Sequence, residues 1–348
     1  MKIRAHKIAS VVYRLGFQKT VEITDQLEAS PGNAIVVRAL SEKRVYNELE
    51  LESGRMSKIF RGDVILGALG RRRALRGFSG DVPEKLRTGD TVQLLNRGGV
   101  MGRSLSDHKD LGQPLSCEVL GMPVREGRIV RLLDARLPEV SSLEALRIPP
   151  VLIVSGTCME SGKTLFLSEL TRELFKGGLV IAGGKLTGIA CLRDLRAMED
   201  HGAALTASFL DAGYPSTAGL GASTLVTIAK TVIAHLAASE PDLILLELGD
   251  GVIGEYGVLE ILKDREIRSS VRMHAFCAGD MVGAWGGKKF LEEEGIDIDL
   301  FSGPVTDNDV GVEYLEKELG KRAINAHRSP EPLAKVVMGH LGLREKKA

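Results

Sequence analysis

Between Val151 and Phe175 the chain passes from an apolar run, Val151-Leu152-Ile153-Val154-Ser155, through Gly156-Thr157-Cys158-Met159-Glu160-Ser161-Gly162-Lys163-Thr164 into an amphipathic stretch beginning Leu165-Phe166-Leu167. Glycines let backbone amides converge on an anion, and a helix starting at Lys163 aims its positive end at the same point. Lys163 adds a full charge for the outer phosphates of a nucleotide. The Thr164 hydroxyl is the kind of hard oxygen that ligates magnesium. The chemistry indicated is the binding of a nucleoside triphosphate with Mg2+, held by Gly156, Thr157, Glu160, Ser161, Gly162, Lys163 and Thr164. Such loops are usually spelled GxxxxGK[ST]; here Gly156 precedes Gly162 by one residue more, with Thr157 at the first-glycine position.

Two further groups of residues fall where that chemistry needs them. Leu243-Ile244-Leu245-Leu246-Glu247-Leu248-Gly249-Asp250-Gly251 reads as an apolar strand ending in a carboxylate and a glycine-rich turn. Ligands of parallel sheets sit beyond the carboxyl ends of strands, so Glu247 is expected beside the phosphates, serving magnesium directly or through water. The competing reading is an ordinary acid at a strand end. Gly183-Gly184-Lys185-Leu186-Thr187-Gly188 follows another strand candidate, and Lys185 is expected to clamp a transferring phosphoryl group or an acidic substrate; a solvated loop lysine is the alternative. Lys163, Lys185 and Glu247 form the candidate catalytic set.

Taken in order, these three elements resemble dethiobiotin synthetase. The stretch from Gly156 to Thr164 is similar to that family's long loop G-T-D-T-E-V-G-K-T, extra residue included; Lys185-Leu186-Thr187-Gly188 is similar to its K-P-x-x-S-G segment, and Glu247 to Gly251 to its E-G-A-G-G turn. The likeness covers about residues 151–328. It implies an ATP- and Mg2+-dependent enzyme of ligase type in which a small carboxylate or carbamate attacks the γ-phosphate, and a homodimer with its sites near the interface. It also implies one more aspartate at the metal. Asp211, at the end of the strand candidate 205–210, is the first choice, with Asp194 and Asp200 behind it; each also reads as a helix cap or turn residue. Cys158 and Met159 replace the family's Asp and Thr, and Leu248-Gly249 replaces its Gly-Ala, all on the substrate side. The diamine substrate of that family is therefore not carried over.

No Asn-Lys-x-Asp or Thr-Lys-x-Asp guanine signature follows any late strand, which favours ATP. By the same resemblance Ser302-Gly303-Pro304-Val305-Thr306-Asp307-Asn308 is placed to meet the base, with Asn308 as the contact; a helix cap at Asp307 or Asn308 is the alternative.

These residues need a scaffold, and from Val151 the apolar pattern alternates between strand and helix, as in a doubly wound α/β domain with a mostly parallel sheet. Strands are expected at 151–155, 179–183, 205–210, 243–247, 271–277, 298–301 and 323–325, and helices at 163–176, 223–238, 282–294, 310–319 and 331–341. Residues 1–133 read differently, as short strands between turns such as Ser30-Pro31-Gly32, Arg61-Gly62-Asp63 and Thr88-Gly89-Asp90. They predict a smaller, mainly-β domain, barrel or sandwich, of unknown role. Residues 134–150, with Pro138 and Pro149-Pro150, read as a linker, and 151–348 as the ATP-binding domain.

Two domains fit 348 residues at roughly 150 per domain. Lys plus Arg and Asp plus Glu number 46 each, so no overall field favours nucleic acid or an acidic membrane. Four scattered cysteines offer no CxxC pair, and no apolar run approaches the ~20 residues of a membrane helix; a cytoplasmic protein acting on a small acid is expected.

Weaker signals are the basic group Arg71-Arg72-Arg73 with Arg76, read as a phosphate site or a solvated loop, and the glycine cluster Asn96 to Gly102, read as a ligand cradle or a hairpin. Cys158 is open to oxidation or alkylation that would block the loop. His201, His235 and His274 lack metal-ligand spacing, and Lys288 or Lys289 either faces a substrate or lies on a helix surface. Against the enzyme stands a protein of another class, a nucleotide-gated interaction protein in which ATP switches partner affinity.

Overall fold

The computed structural model describes residues 1–346. They form two compact units: Met1–Pro138 with Ile189–Arg193 and Phe209–Gly219, and Glu139–Gly188 with Asp194–Ser208 and the chain from Leu220 onward. Two short segments inside the C-terminal half of the sequence thus belong to the first unit.

The first unit is the strand-rich one, and of the two architectures left open it adopts the barrel. Ser116–Arg125 pairs antiparallel with Ala34–Ala39, and Ala34–Ala39 with Val64–Leu69. Val64–Leu69 runs parallel to Val100–Asp107, and Thr91–Leu94 joins Val100–Asp107 back to Ser116–Arg125, closing a ring of five strands. Closure satisfies the backbone groups that open edges would leave exposed. Ile35, Ile65, Leu94, Met101 and Val119 fill the interior, and burial pushes the Cys117 thiol up to about 12. The Asn96–Gly102 cluster is the hairpin joining Thr91–Leu94 to Val100–Asp107, with Asn96 Oδ1 accepting from the Val100 amide at 3.0 Å. Arg73 is forked onto Asp81 at 2.9 and 3.1 Å, and Arg72 is buried with its guanidinium donating to Tyr46 and Leu95. These arginines are held by the barrel's own carboxylate, hydroxyl and carbonyl groups.

The second unit is an α/β layer structure. In chain order its elements are β1 (Val151–Gly156), α1 (Lys163–Lys176), β2 (Ile181–Thr187), α2 (Arg193–Asp200), β3 (Leu205–Ser208), α3 (Ala222–Ala237), β4 (Leu243–Leu248), α4 (Val258–Lys263), α5 (Arg265–Ser270), β5 (Val271–Cys277), α6 (Met281–Glu293), β6 (Leu300–Ser302), α7 (Asp309–Lys317), β7 (Arg322–Ala323) and α8 (Pro330–Leu341). The seven strands lie in the order β3-β2-β4-β1-β5-β6-β7, all parallel. Side chains of β1 alternate between two cores: Val151 and Ile153 pack with residues of α3, α4 and α6, and Leu152 and Val154 with residues of α1 and α8. A strand buried on both faces must be apolar throughout, as β1 and β4 are.

Two departures from the expected elements bear on the site. The strand expected at 179–183 instead spans Ile181–Thr187, so Gly183, Gly184 and Lys185 are strand residues and form no turn. The glycines are there for packing: a Cβ on Gly183 would meet Met198 of α2 at 2.7 Å, and one on Gly184 would meet Leu246 and Leu236 at 2.8 and 2.9 Å. The strand expected at 205–210 stops at Ser208, because Phe209 and Leu210 are buried in the first unit. Among the described residues no helix is long and apolar enough to cross a membrane.

Candidate functional site

β1 delivers the chain to Gly156, and α1 begins at Lys163 after Gly162 takes a φ of 95°. Lys163 folds back over its own loop: Nζ donates to the carbonyl oxygen of Cys158 at 2.7 Å and to Ser161 Oγ at 3.3 Å. Burial pushes its pKa below the ordinary lysine value, against the pull of Glu247, Cys277 and Asp250. A buried ammonium needs such partners, and here the carbonyl and hydroxyl of its own loop supply them.

Neighbouring backbone fixes that loop from two sides. The Thr157 amide donates to the carbonyl of Cys277 at 3.1 Å, and the Val252 amide to the carbonyl of Gly156 at 3.0 Å. Gly251 comes so close that a Cβ there would lie 2.1 Å from the Thr157 oxygen, and one on Gly303 would lie 2.4 Å from the Ser161 oxygen. The turns after β4 and β6 therefore hold the loop in shape. Glu160 is exposed at a φ of 62°.

Beside the first turn of α1, Thr164 Oγ1 donates to Glu247 Oε2 at 2.9 Å. Glu247 lies opposite Lys185 on the adjacent strand, and its Oε1 is 3.3 Å from Lys185 Nζ. The same ammonium donates to Asp194, in the first turn of α2. Desolvation works against its charge, but the Asp194 and Glu247 carboxylates more than offset this and hold the lysine above its ordinary pKa range. Lys163, Thr164, Lys185 and Glu247, all chosen from the sequence, thus gather in one place.

Other expectations need correction. Asp211 is in the first unit, where the Tyr13 hydroxyl and Arg14 donate to it, the latter at 3.0 Å. The carboxylate that joins Lys185 and Glu247 is Asp194; Asp200 is exposed at the end of α2. In its helix only Leu195 and Met198 are buried apolar residues among charges, too little for a clear helical period in the sequence. Asn308 is the N-cap of α7, its Oδ1 accepting from the Val310 amide at 3.0 Å, which is the capping alternative. Lys288 pairs with Glu292 along α6 at 2.5 Å, a helix-surface contact. His274 is buried between Ser155, with Oγ to Nε2 at 2.7 Å, and the carbonyl of Asp297, and its pKa is depressed by that burial. Burial raises the carboxyl pKa of Asp250, and the charge of Lys163 opposes that rise.

A parallel sheet whose central strand runs through a GKT loop into a helix N-terminus, with an acid-ended strand alongside, defines the P-loop nucleoside triphosphatase fold. Solved structures similar to the chain include cell division protein FtsY from Thermotoga maritima, 15% identical over 54% of this chain and 62% of that one at a TM-score of 0.39. Others are the 54 kDa signal recognition particle protein from Aeropyrum pernix in complex with GDP, 18% identical over 61% and 50% at a TM-score of 0.37, and the hydrogenase maturation factor HypB from Archaeoglobus fulgidus, 15% identical over 56% and 90% at 0.33. The chain spans 52 to 62% of the length of the FtsY structures it matches. No family model matches the sequence, and no curated protein matches it significantly.

Proposed function

We propose that the second unit binds ATP with Mg2+ and transfers the γ-phosphoryl group to an oxygen of a small carboxylate or carbamate, as enzymes of ligase type do. The observation that carries this reading is the convergence of Lys163, Thr164, Lys185 and Glu247 at the end of β1 and the start of α1. The motif likeness to dethiobiotin synthetase supports the acceptor class, and the absence of a guanine signature supports ATP.

The donor set fits magnesium: a hydroxyl and a carboxylate, Thr164 and Glu247, stand 2.9 Å apart at the helix start, and a Mg2+ ion takes few protein oxygens and completes its shell with phosphate and water. Bound there, the ion would neutralise charge on the β- and γ-phosphates. The loop amides and α1 hold the polyphosphate, and Lys163 exchanges the Cys158 carbonyl and Ser161 hydroxyl for phosphate oxygens. Lys185 enters with its charge secured by Asp194 and Glu247, so it meets the transferring phosphoryl or the incoming acid as a full cation. Positioning and charge neutralisation supply most of the rate in such transfers.

An acyl or carbamoyl phosphate made this way is trapped by hydroxylamine as a hydroxamate. Incubating the protein with ATP, Mg2+, hydroxylamine and a panel of small mono- and dicarboxylic acids is expected to give acid-dependent ADP together with one hydroxamate. ATP binding without hydroxamate from any acid or amine-plus-bicarbonate mixture would contradict the acceptor class.

A further inference from the structure

Tyr46, in the first unit, holds a φ of 59°, a left-handed conformation that a bulky L-residue rarely adopts. Its ring is crowded by cations. The Arg97 guanidinium lies 4.7 Å from the ring centre and that of Arg72 5.8 Å, while Phe78 meets the ring edge-on with centroids 5.3 Å apart. Arg72 is only 6% exposed; its Nη1 donates to the Tyr46 hydroxyl at 3.1 Å and to the Leu95 carbonyl, but its Nε has no partner. Arg97 is half-buried, its Nε is also buried without a partner, and the carboxylate beside it, on exposed Glu48, stands 3.9 Å away. Among the described residues three buried side-chain polar atoms lack a partner, and two of them are these guanidinium nitrogens. A third cation, Lys43, stands 5.3 Å over Phe78, held by the carbonyls of Leu111 and Gln113 and faced by Asp107. Arg73 has its fork filled by Asp81; Arg72, the most buried of these cations, has no carboxylate. Aromatic faces offset part of the cost of burying such a charge, but a donor left unmade and a strained tyrosine beside it are hard to account for by stability.

We infer that Arg72, Arg97 and Tyr46 form an oxyanion site of the first unit, and that its ligand is the phosphoryl group of free phosphate or of a small phosphate ester. A guanidinium presents its donors in a planar fork, and Nε lies on an edge that takes two oxygens in parallel. A carboxylate has two oxygens and fills one such edge. A phosphoryl group has three and carries close to two charges near neutral pH, so it answers two guanidiniums together. The Tyr46 hydroxyl accepts from Arg72 and keeps its own proton to donate to the ligand. Glycine is required at 77 for the Arg72 fork to seat, since a Cβ there would lie 2.6 Å from Nη2. Half-buried Tyr46 and Arg97 leave the site open to solvent. No residue of the second unit takes part, so this site does not rest on the triphosphate reading.

The test is calorimetric titration of the full chain at low salt with inorganic phosphate and with glycerol phosphate, in a Lys163→Ala background so that the loop between β1 and α1 does not compete. Saturable binding with a dissociation constant of about 1 mM or tighter is expected, and the tighter of the two probes names the source of the phosphoryl group. Arg72→Gln and Arg97→Gln should each weaken it about tenfold or more, and Arg97→Lys, which keeps the charge without the fork, should not restore it. Arg97 is the half-buried member, so its variants are expected to fold even where Arg72→Gln does not. Phosphate should raise the Tm of the parent and leave that of Arg97→Gln unchanged. No saturable binding of either probe, full affinity in either Arg97 variant, or acetate binding as tightly as phosphate would overturn the proposal. Phosphate bound here by a protein whose wild type binds no ATP would contradict the triphosphate reading alone.

Discussion

At the scale of single residues, the site is a balance of charges in a place with little water. Lys185 lies between Asp194 and Glu247, and all three are buried. Removing the cation alone leaves two carboxylates facing each other without compensation, and breaking a buried pair from one side typically costs about 3–5 kcal/mol. Lys185→Ala is therefore expected to lower unfolding stability by an amount of that order in urea titrations; a loss under about 1 kcal/mol would show that water already screens the trio. The loop between β1 and α1 was legible because glycine, lysine and threonine at that spacing have few other uses. Asp194 could be read only as one of three candidate aspartates, because it lies in a charged stretch with no clear apolar period.

At the scale of elements, the loop is shaped by the turns that press on it as much as by its own sequence. Gly251→Ala places a methyl group where the Thr157 carbonyl now lies 2.1 Å from the Cβ position, and the phosphate loop must move to admit it. The variant is expected to bind ATP at least tenfold more weakly while keeping its helix content, since a displacement of about 1 Å in a preorganised site is enough for such a loss. Circular dichroism with calorimetry separates that outcome from general unfolding; unchanged affinity would mean the turn is free to yield. The helices Lys163–Lys176 and Pro330–Leu341 and the strand Val271–Cys277 were readable to within a residue because their apolar periods are strong. The ends of β2 and β3 were misplaced for opposite reasons. Glycines that usually mark a turn mark close helix packing in β2, and the apolar Phe209 and Leu210 that extended the expected β3 are buried residues belonging to the first unit.

At the scale of the whole molecule, sequence order and structural membership differ. Ile189–Arg193 and Phe209–Gly219 are interior to the C-terminal half of the sequence yet belong to the first unit, where Asn96 holds the Ala190 carbonyl, Glu50 accepts from the Leu192 and Arg193 amides, and Tyr13 and Arg14 hold Asp211. Nothing in local periodicity announces such excursions, because their partners lie 90 to 200 positions away. The α/β class, the parallel sheet and the strand-rich N-terminal region follow from patterns repeated over many residues and were legible. The central claim is that the second unit grips a triphosphate through Lys163 and the amides around it. Calorimetric titration of the full chain and of Lys163→Ala with ATP and Mg2+ tests it most directly. Saturable binding to the wild type and a loss of about 100-fold or more in a folded Lys163→Ala variant are predicted; equal affinity in the two, or no binding to the wild type, would contradict it.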